Sequence, residues 1–183
     1  TPIEEEKADR LGLAKMVEAN TDVHETAFSV TIDLIGHGCT TGISAYDRST
    51  CIRRMTEHSA KPTDFTRPGH VFPLRAVKGG VLRRTGHTEA AVDLARMANL
   101  FPAGVIVEIL KPNGEMARLP FLIELAKEHD LKIISIEDLV AYRLQTERLV
   151  ECEFSMDLDT RYGPFKLYAY RQTTNNDVHL ALT

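Results

Sequence analysis

Between Thr26 and Asp33 apolar and polar residues alternate, with Phe28, Val30 and Ile32 on one side and Ser29, Thr31 and Asp33 on the other. That period predicts a strand with one face in the core. Gly36 and Gly38 turn the chain, and Ser44 followed by Asp47 predicts a capped helix from near Ala45 past Met55. Pro62 and Pro68 mark loops, His70–Ala76 reads as extended, and Gly79 with Gly80 makes a turn. From Thr88 the spacing becomes helical, and Ala91, Leu94, Ala95 and Ala98 form the face expected to pack. Gly104–Leu110, nearly all apolar, predicts a buried strand, and Lys111-Pro112-Asn113-Gly114 suits a type I turn. Pro120 opens a helix to about His129, Leu131–Ile134 reads as a short buried strand, and Ser135 caps a helix through about Arg143. Residues 1–19 show no clear pattern. Strands alternating with helices argue for a layered α/β or α+β domain.

After about Gln145 the composition shifts. Glu151, Glu153, Asp157 and Asp159 crowd one stretch before Phe165-Lys-Leu-Tyr-Ala-Tyr170. The expectation is a linker over residues 147–159, then the opening strands of a second domain over 160–183. The first domain would occupy residues 1–146.

Composition narrows the functional classes. Of 183 residues, 43% are hydrophobic and 26% charged, so a packed core is feasible. The formal net charge is −4 with dispersed basic residues, which argues against a nucleic-acid footprint. No apolar run has membrane-spanning length, and no secretory signal opens the chain. Cys39, Cys51 and Cys152 are too scattered for a zinc knuckle or disulfide framework, so a reducing cytoplasm is the expected compartment.

The richest chemistry lies in Arg83-Arg-Thr-Gly-His-Thr-Glu-Ala90, where a loop enters a helix. Unpaired backbone N–H groups, the positive dipole end and an arginine fork suit a phosphate. An ordinary threonine-capped helix explains the same residues. His87 is either a metal ligand or a loop histidine. Glu108, amid apolar neighbours, is a proton-transfer group, the end of a strand near the surface, or half of a buried ion pair with one of the arginines. His70, presented by Arg67-Pro-Gly, suits acid–base work or is a surface imidazole. Thr40, Thr41 and Asp47 either line a polar pocket or cap a helix.

Together these segments resemble one family. Phe28–Asp33, Thr40-Thr-Gly-Ile-Ser-Ala-Tyr-Asp-Arg48, Asp64-Phe-Thr-Arg-Pro-Gly-His-Val-Phe-Pro-Leu74, Gly79–Ala90 and Gly104–Pro120 occur in the order and spacing of 3,4-dihydroxy-2-butanone 4-phosphate synthase. The likeness covers about residues 10–145. From Thr160-Arg-Tyr-Gly-Pro-Phe-Lys166 to Leu182 the tail resembles the opening of a GTP cyclohydrolase II domain, as in bifunctional riboflavin enzymes.

The resemblance implies an α+β fold, a layered mixed β-sheet with flanking helices. It implies a lyase of riboflavin biosynthesis that converts ribulose 5-phosphate to the four-carbon phosphate and formate. Arg84, Thr85, Gly86, His87 and Thr88 would bind substrate together with Glu108. His87 would hold Mg2+ or Mn2+, and His70 and Glu108 would move protons. A homodimer with its active site at the interface is implied. The family's acidic loop, roughly R-E-N-E-G-D, has no match here, so weak or no synthase activity is expected of these residues alone. The alternative is a catalytically incomplete piece that only dimerises or binds phosphosugar.

Overall fold

The computed structural model describes residues 1–183. In chain order the elements are β1 (Pro2–Glu4), α1 (Glu5–Arg10), β2 (Ile32–Leu34), α2 (Ala45–Thr56), β3 (Phe65–Val71), β4 (Leu74–Ala76), α3 (His87–Met97), α4 (Leu119–Glu128), α5 (Ile136–Thr146), β5 (Val150–Thr160), β6 (Gly163–Gln172) and β7 (Val178–Leu182). The α+β expectation holds. The strands form a parallel pair β1–β4, an antiparallel pair β2–β3, and an antiparallel sheet β5–β6–β7.

The main core lies where α1, α2 and the β2–β3 pair meet. Ile3, Ala8, Leu11, Leu13, Ile32, Leu34, Cys51, Met55, Phe65 and Val71 are buried there. Burial pushes the Cys51 thiol up to about 12, so it stays protonated and inert. The caps expected for two helices are present: Ser44 Oγ accepts from Asp47 N–H and Ser135 Oγ from Asp138 N–H, each at 3.0 Å. The Lys111–Gly114 turn also forms, closed by Gly114 N–H to Lys111 O at 2.9 Å.

Several expectations fail. Ser29 and Thr31 are buried whereas Phe28 is 41% exposed, because only Ile32–Leu34 joins a ladder and the polar side packs too. On α3 the buried residues are Thr88, Glu89, Ala90, Val92 and Asp93, while Leu94 is half-exposed and Ala98 exposed. Gly104–Ile109 is extended but enters no ladder, and Val107 is 85% exposed. Leu131–Ile134 is likewise exposed and outside any strand. Apolar content identified segments that suit a sheet, but a strand also needs a neighbour along its length, and residues 104–109 bond to other backbone only at their ends, Gly104 N–H to Pro2 O and Ile109 O to Ala117 N–H.

The expected linker is also largely strand. Phe154, Met156 and Leu158 alternate with Ser155, Asp157 and Asp159, and Val150–Thr160 pairs along β6. The acids occupy the opposite side of a two-faced strand. The sheet's other side carries Phe154, Met156, Leu167, Leu180 and Leu182, matched across the ladders.

A buried ion cluster fastens α5 to α3. Arg143 donates to Asp93 Oδ2 at 2.6 Å and to Gly79 O at 3.0 Å, and grips Glu147 through two bonds of 2.6 and 2.7 Å. Arg143→Ala removes one of the two arginines that neutralise the buried Asp93 carboxylate. With Arg96 and Val81 N–H still on Asp93, the expected loss is about 3 kcal/mol in a urea melt, the low end for breaking a buried pair.

Asp47 is buried, which on its own raises its pKa. Donors from Gly42, Thr40 and Ser44 outweigh that burial and hold it below the usual value. The Lys61 N–H and Arg54 depress Asp64, and Arg143 depresses Glu147. Groups with depressed folded pKa values stabilise above their unfolded pKa, and that contribution is lost as pH falls through the folded value. Melting temperature should therefore hold from neutrality to about pH 5 and drop below about pH 4. Asp47→Asn should lower the plateau and flatten the acid limb.

Candidate active site

Helix α3 starts at His87 behind Gly86, which occupies the cap position at φ −104° and ψ 157° and supplies no side-chain acceptor. Thr88 is therefore not the cap. It lies in the first turn and is buried. The opening N–H groups of the helix lack a capping oxygen, and the positive dipole end is available to an anion.

Arg84 is not a free fork of donors. Its Nη1 donates to Glu89 Oε2 at 2.6 Å and its Nη2 to His24 O at 2.7 Å. Glu89 is fully buried, and its other oxygen accepts Val77 N–H at 3.1 Å. Gly86 lies over this pair: a Cβ there would stand 2.3 Å from Arg84 Nη1 and 2.7 Å from Glu89 Oε2. The glycine is required by close approach rather than by an unusual backbone angle. Sequence reasoning missed Glu89, since an acid in the first turn of a helix reads as a dipole partner.

Arg84, Thr85, Gly86, His87 and Thr88 line one open cleft of about 1110 Å³ together with Glu108 and the apolar Phe28, Phe72 and Val105–Val107. The structure thus joins the two sequence-distant segments. Glu108 is not a buried strand residue: it is exposed, on the 104–109 segment outside any ladder. It faces the cleft as a solvated carboxylate. His24 also lines the cleft, a residue whose sequence context gave little signal.

His70 is not among the cleft residues. It ends the Arg67-Pro-Gly segment, which leaves the β2–β3 ladder where the register shifts between Ile32 and Asp33. Side chains of β2 and of the residue just before it take over the missing ladder bonds. Thr31 Oγ1 accepts Gly69 N–H at 3.0 Å, and Asp33 Oδ1 accepts His70 N–H at 2.9 Å. Asp33 Oδ2 lies 2.7 Å from His70 Nδ1. Gly69 presses onto the β2 backbone, where a Cβ would come within 2.0 Å of Ile32 C. Arg67 anchors the segment through Pro62 O, Phe65 O and Leu11 O. Thr40 and Gly42 do not line the cleft; they donate to Asp47 Oδ2 and so pin their loop.

No group of three or more His, Cys, Asp or Glu comes together as a metal cage. The donors at the cleft, an exposed imidazole and an exposed carboxylate, fit a loosely held divalent ion whose remaining positions go to water and ligand oxygens.

Replacing Gly86 by alanine should push Arg84 off Glu89. Phosphate affinity, read by calorimetry, should fall about tenfold or more, with a smaller change in melting temperature.

The chain is similar to proteins of known type. It is 55% identical over 181 residues to the riboflavin biosynthesis protein RibBA of Cytophaga hutchinsonii, covering 99% of this chain and 45% of that protein. The RibBA of Aquifex aeolicus is 55% identical over 179 residues, covering 97% of this chain and 44% of the relative. The chain thus spans less than half the length of these curated relatives. Among solved structures, RibBX of A. baumannii, a two-domain 3,4-dihydroxy-2-butanone 4-phosphate synthase, superposes with a TM-score of 0.85 at 45% identity, over 100% of this chain and 53% of that one. A 3,4-dihydroxy-2-butanone 4-phosphate synthase in complex with two magnesium ions gives a TM-score of 0.72 at 38% identity, over 79% and 72%. The family model for 3,4-dihydroxy-2-butanone 4-phosphate synthase matches residues 1–142, and the chain belongs to that family.

Proposed function

We propose that this chain carries the site of a lyase that converts D-ribulose 5-phosphate to L-3,4-dihydroxy-2-butanone 4-phosphate and formate in riboflavin biosynthesis. The observation that carries this reading is the shared cleft of Arg84–Thr88 and Glu108. The substrate phosphate rests on the opening N–H groups of α3, with Arg84 held beside it by Glu89. Glu108 faces the sugar carbons and moves protons from the exposed segment. His87 is the chain's ligand for Mg2+ or Mn2+. Such a cation supplies charge stabilisation to enolate-like oxygens.

His70 is the second proton-transfer group. Because it lies outside the cleft of its own chain, we assign it to the cleft of a second copy in a homodimer. The half-exposed Leu94 and the exposed Leu100 and Val105 near α3 and the cleft favour such an interface. The β5–β7 sheet lies beyond the residues matched by the family model, and we assign it to the start of a GTP cyclohydrolase II-type unit. Its Thr160–Lys166 resemblance supports this. We assign the reaction to the cytoplasm, the compartment that suits three scattered cysteines, all of them free. No helix is long and apolar enough to cross a membrane.

Calorimetric titration with ribulose 5-phosphate, with and without magnesium, tests the site. Arg84→Ala should weaken binding by about 1.5–3 kcal/mol, roughly tenfold or more. His87→Ala should remove the magnesium dependence. Equal affinity in parent and both variants would defeat the assignment. Mixing inactive His70→Ala and His87→Ala proteins should restore formate release if the clefts are shared between subunits, and absence of recovery would place His70 elsewhere.

A further inference from the structure

We infer that Asp33 is the positioning residue for His70, fixing both the direction of its ring and which nitrogen carries the proton. The inference rests on the reading of His70 as a proton-transfer group. Its evidence is separate: the carboxylate of Asp33 touches His70 at two points. Oδ1 accepts the backbone N–H at 2.9 Å and Oδ2 meets ring Nδ1 at 2.7 Å. A carboxylate oxygen can only accept here, so Nδ1 carries the hydrogen in the neutral ring and Nε2 presents its lone pair. Nε2 is then the atom that takes a proton from substrate and returns it.

The surroundings are shaped around this contact. The Asp33 side chain is 15% exposed against 43% for His70, so the anchor is sheltered while the ring reaches solvent. Gly42 packs against the carboxylate so closely that a Cβ there would stand 2.2 Å from its Cγ. Gly42 is itself held by Asp47 at 2.9 Å. The ladder shift between Ile32 and Asp33 frees the His70 N–H to be taken by a side chain. Ladder irregularities that re-aim a side chain recur beside active sites. The chain Asp47–Gly42–Asp33–His70 thus runs from the buried start of α2 to an exposed imidazole.

Asp33→Asn separates positioning from mere support of the fold. Its single carbonyl must accept the His70 backbone N–H, so its amide N–H turns towards Nδ1. The ring then moves its hydrogen to Nε2, the wrong tautomer for a base. Long-range proton–nitrogen NMR of the His70 ring in mildly alkaline solution reads this directly. The expected result is Nδ1–H in the parent and Nε2–H in the variant, with kcat lower by about a hundredfold or more and KM little changed. An Nε2–H ring in the parent would overturn the inference whether or not the variant folds, and so would a variant that changes tautomer yet keeps its kcat. His70→Ala distinguishes the two levels. Full turnover there would remove His70 from the reaction, whereas a dead His70→Ala beside a fully active Asp33→Asn would remove only the positioning role.

Discussion

Two carboxylates one turn apart on α3, Glu89 and Asp93, hold the loop that forms the anion site. Both are almost completely buried, and each accepts one backbone N–H from the 77–84 loop, Val77 for Glu89 and Val81 for Asp93. Each also takes an arginine, Arg84 from the loop and Arg143 from α5. Buried charges persist only when paired and fully hydrogen-bonded. The loop, α3 and α5 are therefore committed to one mutual geometry. Gly80 and Gly86 complete it, because a side chain at either would meet the carboxylate beneath. The glycines of the Gly79–Ala90 segment make room for acids as much as they approach a ligand.

Much of this was legible in the sequence, and the rest was hidden for physical reasons. Helix starts at Ser44 and Ser135 were local facts of capping, and the Lys111–Gly114 turn was a local fact of proline and glycine. The cleft's composition, Arg84–Thr88 with Glu108, followed from the family resemblance and is consistent with the geometry. The inward face of α3 was misassigned because hydrophobic periodicity assumes that the buried side is apolar, whereas here it carries Glu89 and Asp93. The strand Val150–Thr160 was obscured by its acids, although its even positions are mostly apolar. Residues 104–110 were expected to form a buried strand because a run of branched residues suggests a central one, although a surface position for Glu108 was among the alternatives. Burial, however, is a property of neighbours and not of the run itself.

The unpaired Gly104–Ile109 segment and the apolar side of the β5–β7 sheet are two versions of the same condition. Each is extended, apolar on at least one face, and without a covering layer within the chain. An exposed apolar face on a sheet marks a surface that another layer covers. The sheet touches the first unit at its β6–β7 turn, where buried Thr174 packs on Gly79. That contact falls on the same 77–84 loop that Glu89 and Asp93 hold, so the second unit abuts the foundation of the anion site.

The Arg84–Glu89 pair has a consequence for selectivity. A guanidinium already neutralised by a buried carboxylate exerts little long-range pull, and the chain as a whole carries a formal charge of −4. The protein's own side chains therefore offer an approaching dianion little electrostatic funnel before a cation is bound, and capture by them depends on directional donors at contact range. Such a pocket discriminates by the shape of the anion more than by its valence, and its affinity should be comparatively indifferent to ionic strength.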